Sequence, residues 1–268
     1  MKVVGSVALN VFKESVREKV LYNLVLFAVL LIGASYLIGQ LTAGQDIKFI
    51  KDLGLSATAI FGLFIAVFIG IGLVWKEVER RSIYSLLAKP ITRVDFILGK
   101  YAGLVLTLFV NLAVMTVALY AVLGAMALLG PSALVAALDA PPLDPRLLLA
   151  IGLIFVELAL VTAIALFFST FSSPILSAAF TFGLYIVGQF SADLKRFEQV
   201  VDSRAAAWLA RALYYLLPNL APFDIKALVV HGQPISAGYV LMTVCYGVVY
   251  IVFVLLAAAL VFARRDFK

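Results

Sequence analysis

Residues 147–169 have the sequence LLLAIGLIFVELALVTAIALFFS, in which Glu157 is the only charged residue. The run contains 23 residues, and a helix crosses the apolar core of a bilayer with about 20 residues at 1.5 Å each. A strand of a membrane barrel would alternate apolar and polar side chains, which this run does not do. Because backbone groups in lipid must pair within their own segment, we predict a membrane-spanning α-helix here.

Five further apolar stretches meet this length or approach it. The six predicted spans are residues 20–41, 53–75, 101–129, 147–169, 174–191 and 238–263. The third exceeds what a bilayer requires, so a tilted helix is expected, and the fifth is the shortest. The predicted fold class is an all-α integral membrane protein with six transmembrane helices in a single domain, residues 1–268.

The composition of the whole chain excludes several classes of protein. Of its 268 residues, 64% are apolar and 13% are charged, whereas a soluble domain is about 45–50% apolar and about 25% charged. A soluble enzyme, a disordered protein and a nucleic-acid-binding domain are therefore ruled out. One histidine, His231, and one cysteine, Cys245, exclude a metal centre built from several such ligands and an internal disulfide. The sequence also contains no G-x-x-x-x-G-K-[ST], H-E-x-x-H or G-x-S-x-G motif, so no catalytic or metal-binding residue is predicted.

The distribution of lysine and arginine predicts which way the spans run. Cytoplasmic loops of membrane proteins carry an excess of these residues. With the N-terminus inside, 13 of the 21 basic residues fall on the cytoplasmic side and 8 on the other. Both termini are therefore expected in the cytoplasm, which agrees with an even number of spans.

Residues 1–19 precede the first span and have an apolar helical pattern of their own. Charged side chains gather elsewhere on the helical wheel. The apolar set is Val4, Val7, Ala8, Val11, Phe12 and Val16. The pattern is typical of an amphipathic helix that lies in the cytoplasmic interface of the membrane. The alternative is a plain extension of the first span.

The loop at residues 76–100 is the most informative polar stretch. It is rich in charge at its start, and Pro90 ends any helix that begins there. Thr92 followed by Asp95 has the form of a helix N-cap with an acidic residue in the first turn. We expect a short helix at 78–88, a break, and a second helix leading into the third span. The loop either docks a cytoplasmic partner or only sets topology, and the pattern favours neither.

The long segment at residues 192–237 is partly apolar but too interrupted to span a membrane. Trp208 and Arg211 fall on one helical stripe, and the prolines within 217–222 break the helix. We interpret the segment either as a gate that re-enters the membrane at the outer end of a substrate path, or as an interfacial helix anchored by tryptophan and tyrosine. From the pattern alone, the anchor is the simpler interpretation.

Glu157 needs an explanation, because a charge in the middle of a span is costly unless it is paired, hydrated or protonated. It could bind a cation, relay protons or line a polar cavity. Alternatively, it forms a hydrogen bond with another span, and the candidate partners are Asn111, Thr107, Thr116 and Gln189. The structural role is favoured, because no second acidic or basic residue accompanies Glu157 inside the spans.

Gly99 and Gly103 are four residues apart at the start of the third span. Such a pair of small residues lets two helices approach closely. The pattern is common in membrane helices, so it predicts a close contact without naming the partner helix.

Several short segments, taken in order, carry a family resemblance that covers the whole chain. They are 10–19 (NVFKESVREK), 87–93 (LAKPITR), 99–100 (GK), 169–174 (STFSSP), 217–219 (LPN) and 262–266 (FARRD). Placed in a frame of six spans, they make the sequence similar to the type-2 ABC transporter permeases. The resemblance is strongest to the NosY-like group associated with multi-copper enzyme maturation.

The resemblance implies a permease subunit that forms a homodimer and works with two separate ATPase subunits. The ATPases would bind ATP and Mg²⁺, and this chain itself is expected to hold no cofactor. The family's coupling helix corresponds to about residues 78–90. On that correspondence, the expected ATPase contacts are Glu79, Arg80, Tyr84, Leu86 and Leu87.

The family's re-entrant region corresponds to about residues 204–222, which gives the gate interpretation more weight than the anchor. The expected outer-gate residues are Trp208, Arg211, Pro218 and Asn219. The resemblance also implies the cytoplasmic membrane of a bacterium or archaeon, export as the direction of transport, and contacts with membrane lipid and a periplasmic accessory protein. No nucleic-acid partner is expected.

The cargo is constrained only by the chemistry of the spans. They are apolar and carry no ladder of methionine or histidine, which favours an amphipathic or lipid-like cargo over free metal ions. Two other functions stay open. One is an ion-coupled secondary transporter or channel that depends on Glu157, and the other is a non-transporting membrane anchor or assembly factor.

Overall fold

The computed structural model describes residues 2–39, 46–79, 92–129, 141–191 and 217–264. In these ranges the chain is mostly helical and contains no β-strand, which confirms the predicted all-α class for the part described. The elements in these ranges are α1 Lys2–Val16, α2 Lys19–Gly39, α3 Asp46–Glu79, α4 Arg93–Leu129, α5 Arg146–Ser169, α6 Pro174–Gln189, a 3₁₀ turn Ala221–Phe223, α7 Lys226–Val230 and α8 Ala237–Arg264.

Five of the described helices are long and apolar enough to cross a membrane. Their spanning segments are Lys19–Gly39, Ile47–Gly72, Val94–Leu128, Arg146–Ser169 and Ala237–Ala263. They correspond to five of the six predicted spans. The protein is therefore an integral membrane protein, as predicted.

The remaining predicted span, 174–191, forms the shorter apolar helix α6. With 16 residues, α6 rises only about 24 Å. The apolar core of a bilayer is about 30 Å thick, so α6 by itself does not reach from one side to the other. A count of six complete spans stays a prediction.

The capping segment, which we define as residues 217–230, packs on the C-terminal end of α6. Its first contact is a hydrogen bond from the Leu220 N–H to the Gly188 carbonyl oxygen, 3.0 Å long. A Cβ atom at position 188 would lie 2.8 Å from the Leu220 side chain, so only glycine permits this approach. Leu220, Phe223 and Ile225 are all buried. The capping segment therefore continues the apolar packing beyond the C-terminal end of α6.

α5 lies at the centre of the bundle and contacts α3, α4, α6 and α8. About three quarters of the spanning parts of α3 and α5 are buried, 72% in each, against 22% for α2 and 17% for α8. A helix that is apolar all round belongs inside a bundle or a membrane. The placement of Glu157 in α5 therefore puts a carboxyl group in the interior of the protein.

α1 packs against the start of α4, and the two glycines of α4 make this contact possible. A Cβ atom at Gly103 would lie 2.6 Å from the Ala8 carbonyl oxygen, and one at Gly99 would lie 2.7 Å from the Val7 side chain. Val11 is buried in the same contact. α1 is separate from α2, because the helix is interrupted at residues 17–18. We call this end of the bundle the α1 end.

α4 begins with the N-cap that the sequence predicts. The Asp95 N–H donates to the Thr92 hydroxyl oxygen at 3.1 Å, and the Thr92 hydroxyl donates to the Asp95 carboxylate at 2.7 Å. These bonds satisfy groups that a helix start leaves without partners. One turn further on, the Phe96 ring stacks on Phe262 of α8 with centroids 5.6 Å apart. The cap and the stack fix the position of α4 at the α1 end.

Candidate functional site

The centre of the bundle holds a polar pair, Glu157 and Gln189, and Tyr185 of α6 interacts with both. Glu157 of α5 is 3% exposed, and its Oε1 atom accepts a hydrogen bond from the Nε2 group of Gln189. Gln189 is the last residue of α6, so the short helix ends at the level of Glu157. The pair joins α5 to the C-terminal end of α6, where the capping segment packs.

The other three predicted partners of Glu157 bond to their own helix instead. The Asn111 side-chain amide donates to the Thr107 carbonyl oxygen at 2.6 Å. The Thr107 hydroxyl donates to the Gly103 carbonyl at 2.9 Å, and the Thr116 hydroxyl to the Leu112 carbonyl at 2.7 Å. Such local bonds satisfy a polar side chain within its own helix. Of the predicted intramembrane polar set, the structure brings together Glu157 and Gln189 but leaves Asn111 apart.

Two charged residues of the capping segment act on Glu157, and sequence reasoning missed both. Asp224 and Lys226 influence the carboxyl group electrostatically with opposite signs. They also form an ion pair with each other, with the Lys226 Nζ atom 3.4 Å from Asp224 Oδ2. Both residues lie in the capping segment and not in a span, so the expectation that no second ionisable residue accompanies Glu157 inside the spans is not contradicted. No local pattern signals their influence on Glu157, because the groups come from a segment that is distant along the chain.

Pro218 and Asn219, two of the four predicted gate residues, lie in the capping segment. The Asn219 N–H donates to the Tyr246 hydroxyl oxygen of α8 at 2.7 Å. The Asn219 side-chain oxygen accepts from the Ala221 N–H at 3.1 Å. Pro218 is buried. The other two gate residues, Trp208 and Arg211, lie outside the described residues.

The predicted ATPase contacts fall almost entirely outside the described residues. Glu79 is the last residue of α3. The others, Arg80, Tyr84, Leu86 and Leu87, belong to the stretch 80–91 that the structure does not describe. That stretch leads directly into Thr92 and the start of α4, where α1 packs.

At the other end of the bundle, buried charged side chains bind the backbone of neighbouring elements. The Lys51 ammonium donates to the Pro141 carbonyl at 2.8 Å. The Asp144 carboxylate accepts from the Arg146 N–H at 2.9 Å, and the Asp144 carbonyl accepts from the Tyr120 hydroxyl at 2.9 Å. We call this the Asp144 end. Sequence reasoning used Lys51 and Arg146 only to count charges and did not predict these bonds.

The Asp144 end also contacts the chain that follows α7. The Arg146 guanidinium donates to the Gly232 carbonyl at 2.7 Å. Gly232 has a positive φ of 67°, which glycine adopts without the steric cost that a side chain would bring. Among the residues that the structure describes, no group of three or more histidine, cysteine, aspartate or glutamate side chains could hold a metal ion.

Comparison with known families agrees with this architecture. A family model described as ABC-2 family transporter protein matches residues 6–267. A search of curated proteins finds no match. The family match covers the whole bundle, from α1 through the capping segment to the end of α8. The chain therefore belongs to the ABC-2 transporter family and is a permease subunit of an ABC transporter.

Proposed function

We propose that this permease forms a homodimer in a bacterial or archaeal cytoplasmic membrane and exports an amphipathic cargo. The energy comes from ATP hydrolysed by two separate ATPase subunits, which bind ATP and Mg²⁺. The family match over residues 6–267 carries this proposal, because ABC-2 permeases generally work with ABC ATPase partners. Membership of the NosY-like group and a periplasmic accessory protein stay predictions.

The proposed orientation places the α1 end in the cytoplasm. The excess of basic residues on that side supports it. The stretch 80–91 then faces the ATPase, with Glu79, Arg80, Tyr84, Leu86 and Leu87 as the proposed contacts. A force on this stretch is passed to α4, which follows it directly in the chain.

The contacts of α4 suggest how motion is passed on. α1 approaches the α4 backbone closely at Gly99 and Gly103, and α4 stacks on α8 through Phe96 and Phe262. Closely packed apolar contacts move together, since separating them exposes voids. ATP must bind one conformation better than the other to drive such a change.

At the other end, the capping segment is the proposed gate. It covers the C-terminal end of α6 and is attached to α8 through the Asn219–Tyr246 hydrogen bond. A movement of α8 would therefore pull on the capping segment. Trp208 and Arg211 complete the proposed gate from the region that is not described.

The test is co-purification of the chain with its ATPase. We expect a 2:2 complex that hydrolyses ATP. Leu86→Arg and Leu87→Arg should each abolish the complex, because a charge in an apolar contact is not tolerated. Leu143→Arg is the matched control, since Leu143 is exposed at the Asp144 end and should leave the complex intact. A folded chain that never binds an ATPase would overturn the proposal.

An ion-coupled transporter is the second candidate, and the observation in its favour is the burial of the Glu157 carboxyl group, which is 3% exposed in the central helix α5. The ion pair of Asp224 and Lys226 lies in the capping segment and acts on Glu157 only electrostatically. This candidate expects transport without an ATPase and loss of transport in Glu157→Gln. Transport that persists in this variant and requires ATP would exclude it.

A further inference from the structure

A pocket of about 320 Å³ opens between the capping segment and the first turns of α8. Its lining residues come from both elements: Asn219, Pro222, Tyr239, Met242, Thr243 and Tyr246. A pocket of this size has room for a small ligand head in place of several water molecules. Pockets that are mostly apolar with a few polar groups are typical of small-molecule sites.

The aromatic walls of this pocket are held in place by the protein itself. The Tyr239 hydroxyl donates to the Pro222 carbonyl at 2.7 Å, and the Tyr246 hydroxyl accepts from the Asn219 N–H at 2.7 Å. The Tyr246 ring also packs on Tyr250, with centroids 5.0 Å apart. Walls that are already ordered lower the entropic cost of binding a ligand.

Two polar groups in the pocket have no hydrogen-bond partner among the described residues. Thr243 is 5% exposed, and its hydroxyl has no hydrogen-bond partner among the residues described. The Asn219 side-chain oxygen is used by the Ala221 N–H, but its amide Nδ2 group has no partner within the described ranges. Neither atom is fully buried, because the buried side-chain atoms without a partner in the described ranges are Asp144 Oδ2 and Ser191 Oγ. Both pocket groups are therefore accessible to a ligand. A ligand that both donates and accepts hydrogen bonds would satisfy the two groups together.

The pocket offers no counter-charge to a ligand. None of its six lining residues is ionised at neutral pH. The nearest charged residues along the capping segment are Asp224 and Lys226, and these neutralise each other at 3.4 Å. An anionic head would therefore lose hydration without gaining a counter-charge. A quaternary ammonium is the more stringent comparison, because tyrosine rings attract cations.

The exposed face of α8 continues the pocket with apolar side chains. Met242 lies at the pocket and is 77% exposed. Val249 and Phe253 follow Tyr246 on the same helical stripe, and each is 67% exposed. Methionine is flexible and adapts to irregular partners. An acyl or alkyl chain leaving the pocket past Met242 would lie along this stripe.

We propose that the pocket binds the uncharged, hydroxyl-bearing head of an amphiphile whose apolar tail lies along α8. Thr243 and Asn219 bond to the head, and Tyr239 and Tyr246 pack against its apolar faces. The site is formed within this chain alone, so it does not depend on the ATPase partner. The amphiphile is either a resident membrane lipid or the cargo, and both share this chemistry.

The test uses three photoreactive probes in phosphatidylcholine nanodiscs that contain the purified chain. Each probe has the same alkyl chain with a diazirine, and the heads are glucose, sulfate and trimethylammonium. Mass spectrometry of peptides then gives the labelled residues. We expect the glucoside to label residues 239–246 most strongly and an excess of unlabelled alkyl glucoside to compete. Equal labelling by all three heads would overturn the proposal.

Two variants and a matched control sharpen this result. Thr243→Val keeps the side-chain shape but removes the hydroxyl, and should lower glucoside labelling about fivefold, as expected for one lost hydrogen bond. Met242→Trp should block the pocket mouth and lower it further. Leu241→Trp is the control, because Leu241 is also exposed, at 65%, but does not line the pocket. Labelling that neither Thr243→Val nor Met242→Trp reduces would contradict the proposal.

A last arm separates the two sources of the amphiphile. The ATPase and ATP are added to the labelled nanodiscs before illumination. Labelling that falls during ATP hydrolysis identifies the amphiphile as cargo, and labelling that stays constant identifies it as a resident lipid. Both results support the site, which the labelling of the chain alone has already decided. Failure to assemble with the ATPase would affect only the proposed function.

Discussion

At the α1 end, helices meet through glycines, stacked aromatic rings and the buried Lys100, whose ammonium lies 5.2 Å from the centre of the Phe96 ring. At the Asp144 end they meet through hydrogen bonds between buried charged side chains and the backbone. Gly99 and Gly103 let the α1 backbone approach α4, and Phe96 stacks on Phe262. At the Asp144 end, Lys51 and Asp144 bond to backbone groups of the connecting chain. Both ends are ordered, but by forces of different range and specificity.

The difference suggests a division of roles. Close apolar packing is non-directional and resists separation, because any gap loses contacts on both sides. Hydrogen bonds are directional, and a group that loses its protein partner can bond to water if the site opens. The α1 end is therefore suited to passing on a force from the ATPase. The Asp144 end and the adjacent capping segment are suited to opening and closing.

The largest expected effect is at the Asp144 end. Lys51→Met removes the ammonium that binds the Pro141 carbonyl and also removes a positive charge that acts on Asp144. We expect the free energy of unfolding to fall by about 3 kcal/mol, as for a buried polar network broken from one side. Thermal unfolding of the purified protein in detergent measures the change.

Two controls make this prediction specific. Lys13→Met changes an exposed lysine of α1 and should alter stability by less than about 0.5 kcal/mol. The double variant Lys51→Met with Asp144→Asn should be less destabilised than the sum of the single variants, since the attraction between the two charges is lost only once. Strict additivity would show that Lys51 and Asp144 do not interact.

The next largest effect is at the α1 end. Gly103→Val places a Cβ atom 2.6 Å from the Ala8 carbonyl oxygen and 2.7 Å from Val11, so α1 must move away. Overpacking of this kind costs about 2 kcal/mol. We expect lower thermal stability and weaker ATP hydrolysis in the complex, because α1 and α4 no longer move together.

Gly124→Val is the matched control for this variant. Gly124 lies in the same helix, and a Cβ atom there would meet nothing within 4 Å. It introduces the same side chain without the collision, so stability and ATP hydrolysis should stay close to those of the unchanged protein. If both glycine variants behave alike, the close approach of α1 is not what matters.

The contrast between the two ends also explains what sequence could predict. The apolar runs at 20–41, 101–129 and 147–169 predict membrane helices because a bilayer demands length and apolarity, which are local properties. The Thr92–Asp95 cap is also local. Gly99 and Gly103 indicate a close contact, but the identity of α1 as the partner comes only from the three-dimensional structure.

The features that sequence reasoning missed depend on contacts between distant residues. Lys51 and Pro141 are 90 positions apart, and no pattern along the chain links them. The predicted span 174–191 is apolar enough for a membrane helix, but hydropathy does not show how far across the bilayer a helix reaches. Only the hydrogen bond between Leu220 and Gly188 shows that the capping segment packs on the C-terminal end of α6. The electrostatic influence of Asp224 and Lys226 on Glu157 escaped prediction for the same reason.

Substitutions of Glu157 test whether its hydrogen bond to Gln189 only positions α6 or whether the carboxyl group also takes part in transport. Glu157→Leu leaves the Gln189 amide without its acceptor, and we expect a loss of about 1.5 kcal/mol in stability. Glu157→Gln keeps a carbonyl acceptor at the same position and should be nearly neutral in stability. ATP-driven transport should persist in Glu157→Gln if the pair only positions α6. A stable Glu157→Gln variant without transport would instead support a role for the carboxyl group in ion coupling.

The smallest expected effect is at the N-cap of α4. Thr92→Ala removes the oxygen that accepts from the Asp95 N–H, and exposed caps are worth about 1 kcal/mol or less. Thr92→Ser retains a hydroxyl and should restore the stability. The cap lies where the proposed coupling stretch enters α4, so fraying of this first turn would loosen the connection between the ATPase and the bundle. We therefore expect ATP hydrolysis in the complex to fall more in Thr92→Ala than thermal stability does. A loss of stability with unchanged ATP hydrolysis would show that the force enters the bundle through α1 and not through the start of α4.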